Sequence, residues 1–153
     1  MSRFSKVFAA FAVVAAAASC GRTARIDAVV TDAPSSDIIV KQLNVNTFET
    51  LDTVALDAAG KFSYKVEIQE GQIEFVYLYK GSKRIASLLL EEGDKVTVNA
   101  DTLGNYTVAG SEESEKLALV EKEYAEALAK MNALSAELES VEDVNDAVKV
   151  RQE

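Results

Sequence analysis

The chain has 153 residues, of which 48% are hydrophobic and 27% charged, and its formal net charge is −9. These fractions describe a globular domain, and so acidic a surface repels both a phosphate backbone and anionic lipid, which excludes nucleic acid as a main partner. With no histidine and a single cysteine, an intramolecular disulfide, a Cys/His metal cage and a Ser–His–Asp triad are out of reach, so no metal, cofactor or catalytic residue is expected.

Residues 1–19 read as an export signal. Arg3 and Lys6 form a basic start, residues 7–18 an apolar run rich in alanine, and Ala17-Ala18-Ser19 a small-residue site ahead of Cys20. The apolar run is too short to span a bilayer. Ala17-Ala18-Ser19-Cys20-Gly21 resembles a bacterial lipobox, with Ala17 where that pattern prefers Leu. The resemblance implies cleavage before Cys20 and lipidation of its thiol. Several fatty chains on one residue make an anchor that does not detach. The alternative is an ordinary signal peptide with a structural cysteine after it. Residues 20–24 are expected to form a tether. Gly21-Arg22-Thr23 lacks the acidic cluster that resembles a surface-export signal, which favours the outer membrane with the protein facing the periplasm.

Residues 25–110 read as an antiparallel β domain of seven to eight short strands, either a sandwich or an open barrel. Strands are expected at 25–31, 38–45 and 51–56. Asp57-Ala58-Ala59-Gly60 then makes a turn, with Gly60 in the position that tolerates positive φ. Phe62, Tyr64, Val66 and Ile68 alternate with polar residues, the period of a half-buried strand. Residues 73–80 are apolar enough to be covered on both faces. Gly81-Ser82 suits a type II′ hairpin into a strand over 83–92, and Gly93-Asp94 reads as the same device before 95–100. A last strand covers 106–109.

Residues 111–153 read as helical: one long amphipathic helix, or two with a break near 139–143. Ser111 is a candidate N-cap, and Glu112, Glu113 and Glu115 favour the positive helix end. Leu117, Val120, Tyr124, Ala127, Met131, Leu134, Leu138, Val141, Asn145 and Val148 recur in steps of three and four, a heptad seam. Unbroken, the helix would run to about 58 Å at about 1.5 Å per residue. Either it lies across the sheet, or its seam over 117–148 pairs two copies as a homodimer.

Other candidates carry less. Glu91, Glu92 and Asp94 cluster at a turn and read as solvated, and no calcium-loop spacing occurs. Tyr64, Phe75, Tyr77, Tyr79 and Tyr106 read as core, with a glycan- or peptide-binding face as the alternative. Asp52-Thr53-Val54 and Asp101-Thr102-Leu103 resemble a short O-glycosylation motif of Bacteroidetes envelope proteins, which makes Thr53 and Thr102 candidate acceptors.

Three segments resemble, in order, elements of one family: residues 52–64 around Gly60-Lys61-Phe62; Leu88-Leu89-Leu90-Glu91-Glu92-Gly93-Asp94-Lys95-Val96-Thr97-Val98; and Val108-Ala109-Gly110-Ser111. The family is the Bacteroidetes lipoprotein N-terminal domain of unknown function that precedes thioredoxin-like domains in thiol–disulfide oxidoreductases. The resemblance covers residues 24–140. It departs at the end, where no Cys-x-x-Cys pair follows the helix, so no redox site carries over. The expected function is a non-enzymatic interaction or accessory domain, lipid-anchored in the envelope and contacting an envelope protein or itself. The alternative is the N-terminal part of a truncated oxidoreductase.

Overall fold

The computed structural model describes residues 22–150, with side chains described up to residue 139. The export signal, Cys20 and Gly21 therefore lie outside the described residues.

Eight strands come first: β1 (Thr23–Val30), β2 (Asp37–Asn44), β3 (Thr47–Ala55), β4 (Lys61–Glu67), β5 (Glu74–Lys80), β6 (Lys83–Leu90), β7 (Lys95–Ala100) and β8 (Tyr106–Ala109). They form two four-stranded sheets, ordered β4-β1-β7-β8 and β3-β2-β5-β6. One buried cluster takes Ile26, Phe62, Val66, Val96 and Val98 from the first sheet and Ile38, Val40, Val76, Leu78 and Leu88 from the second. The arrangement is a sandwich, and the alternation along β4 and β7 is what turns one face of each strand inward.

Four expectations change. The strand read as starting at Arg25 begins at Thr23, where the tether was expected. Ala24 is fully buried and the Arg22 carbonyl already accepts the Ile68 N–H at 2.8 Å, so the sheet recruits these residues. The ladders are antiparallel except β1–β7, which is parallel. Tight hairpins force antiparallel neighbours, but no turn joins β1 to β7, and nothing local sets their direction. Gly93-Asp94 does not close a hairpin. It carries the chain from β6 in one sheet to β7 in the other. The β2–β3 hairpin turns at Val45-Asn46, where a strand end was read, with Val45 at φ 57. A β-branched residue in that region costs about 1–3 kcal/mol, which is why a turn there was not legible. Gly81-Ser82 is as expected: Gly81 has φ 59 and Lys80 pairs with Lys83.

The helix α1 (Glu112–Val150) is one unbroken element of 39 residues, not two. It does not lie across a sheet. It contacts β6 and β8, the edge strands on one side of the sandwich. From Lys122 to Glu139 every residue is exposed, so this stretch of α1 is not packed into the β domain.

Candidate functional site

The start of α1 is fastened to the sandwich edge by small polar side chains. Ser111 caps the helix: its Oγ accepts the Ser114 N–H at 3.5 Å and its carbonyl accepts the Glu115 N–H at 3.0 Å. The Ser111 and Ser114 hydroxyls both donate to the Leu89 carbonyl, at 3.1 and 2.6 Å, and Ser114 Oγ accepts the Leu89 N–H at 3.0 Å. These bonds satisfy backbone groups that an open sheet edge would leave to water or to another chain.

Further along, Glu121 is the polar hub. Its carboxylate accepts from Ser87 Oγ on β6 at 2.9 Å and from the Tyr106 hydroxyl on β8 at 3.0 Å. Arg84 Nη2 approaches it at 3.5 Å. Burial raises the Tyr106 pKa well above the ordinary tyrosine value, and the Glu121 charge adds to the rise. Tyr106 therefore keeps its proton, and its O–H donates the hydrogen bond to Glu121. Ser87 is completely buried, so its hydroxyl meets no substrate. The group works as a latch between helix and sheets.

Beneath α1, beyond the latch, lies an open groove of about 1100 Å³ lined by Leu103, Tyr106, Ala118, Tyr124, Ala125 and Leu128 among others. On the helix, Val120, Tyr124, Met131, Leu134 and Leu138 are each more than half exposed. From Val120 to Leu138 the heptad seam is thus uncovered, whereas Leu117 is half-buried. Leu119 and Leu128 lie off that line and are exposed too. Apolar residues therefore occupy more than one side of α1, and the clean amphipathicity expected of it is absent.

Of the aromatic residues expected in the core, Tyr64 and Tyr106 pack against it and Phe75 is exposed, while Tyr77 and Tyr79 join a cluster on the outer face of β5. Phe48 packs edge-on against Tyr77 and Tyr79, with ring centroids 5.3 and 6.4 Å apart. Lys41 Nζ sits 4.5 Å from the centre of the Tyr79 ring, and the Arg84 guanidinium lies 5.5 Å from that of Tyr77. The cluster covers the outer face of β5, so that strand is screened on both sides near Tyr77. Tyr77 is buried and Tyr79 half-buried. A cation therefore sits over each of the Tyr77 and Tyr79 rings.

The Glu91, Glu92 and Asp94 turn is structural. Asp94 accepts the Glu91 N–H at 3.0 Å, and Glu92 pairs with Arg22 at 3.3 Å. Among the described residues no three Cys, Asp or Glu side chains are grouped to hold a metal ion. The two candidate threonines differ. Thr102 donates its hydroxyl to Asp32 at 2.6 Å, and its N–H goes to the same carboxylate at 2.9 Å. Thr53 is exposed on β3. Among the described residues no helix is long and apolar enough to cross a membrane.

A family model described as a domain of unknown function, DUF4369, matches residues 24–117. The chain belongs to this family. The DUF4369 match runs from β1 into the first turns of α1, so the latch residue Glu121 and the exposed seam from Val120 onward lie beyond the matched segment. No curated protein matches the chain. Sequence reasoning singled out Ser111 but missed Ser87, Ser114 and Glu121. The available signal was the row of small residues Ser111, Ser114 and Ala118 at helical spacing, which marks a face able to approach a sheet closely.

Proposed function

We propose that this DUF4369 protein is a lipid-anchored envelope protein that acts by contacting other protein and performs no chemistry of its own. The observation that carries the reading is the exposed line Val120, Tyr124, Met131, Leu134 and Leu138 on α1, whose start the Glu121 latch fastens to the sandwich. Exposed apolar patches of this kind mark interaction surfaces. Support for the anchor is Cys20 at the end of an export signal. β1 starts at Thr23, three residues after Cys20. The sandwich would then rest close to the headgroups, on the periplasmic side of the outer membrane. The resemblance to the leader domains of thioredoxin-like lipoproteins supports an accessory role beside envelope thiol–disulfide enzymes.

Two measurements test the reading. Globomycin should cause unprocessed precursor to accumulate, and Cys20→Ser should move the protein out of the detergent phase. Normal maturation and partitioning of Cys20→Ser would sink the anchor. Met131→Glu with Leu134→Glu should abolish association while leaving thermal unfolding of the sandwich unchanged. Association that survives both charges would sink the contact surface.

A further inference from the structure

From Lys122 to Glu139 every residue of α1 is exposed, although this stretch carries large apolar side chains. A helix gains most of its stability by packing an apolar face, so an overhang like this calls for a covering surface. The charges beside the seam indicate which surface. With Leu117, Tyr124, Met131 and Leu138 taken as one set of core positions, the residue preceding each is Lys116, Glu123, Lys130 and Glu137. The sign alternates at every heptad. The opposite flank, Glu121, Leu128 and Ser135, does not alternate, and Glu121 there is held by the latch.

We propose that the seam is covered by α1 of a second copy running antiparallel, a proposal that rests on reading α1 as the contact surface. A parallel, in-register pair would place Glu123 against Leu128 and Lys130 against Ser135, and would use none of the alternation. An antiparallel pair brings like flanks together. With Tyr124 opposite the partner's Ala127, Glu123 faces the partner's Lys130 and Lys130 faces the partner's Glu123. The core layers then set Leu117 against the partner's Leu134 and Val120 against the partner's Met131, and the largest ring meets the smallest side chain. A slip of one heptad either way pairs Glu with Glu and Lys with Lys, so the charges select the register as well as the direction. Leu103 lines the same groove as Tyr124 and Leu128, which continues the apolar strip onto the sandwich.

The test is charge reversal on the full chain, read by sedimentation equilibrium in density-matched detergent. The parent should be a dimer. Glu123→Lys alone or Lys130→Glu alone converts two attractive contacts per dimer into two repulsive ones and should weaken association about tenfold. Glu123→Lys with Lys130→Glu should restore it to within about threefold of the parent. A zero-length carbodiimide should join Glu123 to Lys130 between copies of the parent. A monomeric parent, a charge-swapped double variant no tighter than either single variant, or single variants as tight as the parent would each overturn the proposal. Phase partitioning of the same variants should stay unchanged, so a failure here is separable from a failure of the anchor.

Discussion

The Tyr106 hydroxyl donates a 3.0 Å hydrogen bond to the Glu121 carboxylate, joining the edge of one sheet to α1. The same carboxylate takes the Ser87 hydroxyl from the other sheet. One helical side chain therefore clamps both halves of the sandwich.

Removing that side chain leaves a buried hydroxyl on Ser87 and a half-buried one on Tyr106 without their acceptor. Glu121→Ala should destabilise the protein by about 2 kcal/mol and Tyr106→Phe by about 1 kcal/mol. The double variant should cost less than the sum of the two, because both remove the same bond. Urea midpoints measure all three.

Alkaline stability should report the latch. The Tyr106 pKa is raised in the fold, by burial first and the Glu121 charge second, so the folded state holds this proton more tightly than the unfolded chain. Its contribution is complete below the unfolded tyrosine pKa of about 10 and is lost as pH rises above it. Tyr106→Phe should flatten the fall in melting temperature above about pH 10.

The acid limb should depend on Asp101. The Asn105 side-chain amide first, and then the N–H groups of Asn105, Leu103 and Gly104, lower its pKa. That stabilisation is present above the unfolded aspartate pKa of about 3.9 and disappears as pH falls below it. Asp101→Asn should lower stability at neutral pH and reduce the slope below about pH 4, as thermal unfolding across pH would show.

Gly110 and Gly81 should respond unequally to alanine. Gly110 has φ +97, and a Cβ there would run into the Lys95 carbonyl. Gly81 has φ +59 and open space around it. Gly110→Ala should cost about 3 kcal/mol or more, and Gly81→Ala about 1 kcal/mol. Chemical unfolding separates the two.

Hexose-type mass increments on the native protein should map to Thr53 and not to Thr102, whose hydroxyl is bonded to Asp32. Intact mass of Thr53→Ala should lack the increments, whereas Thr102→Ala should retain them. Increments lost only in Thr102→Ala would reverse the assignment.

The sequence by itself determined the local elements. The two-residue period from Phe62 to Ile68, the Gly60 and Gly81 turns, the Ser111 cap and the helical character of the segment after it were readable, because each depends on dihedral preference and side-chain spacing within a few residues, whereas one helix or two stayed open. Only the tertiary structure decided that β1 lies parallel to β7, that Gly93-Asp94 crosses between sheets, and that Glu121 among many glutamates is the one that clamps Ser87 and Tyr106. Those features bring together groups far apart in the chain, and their partners are selected by core burial and edge pairing. No local pattern encodes either.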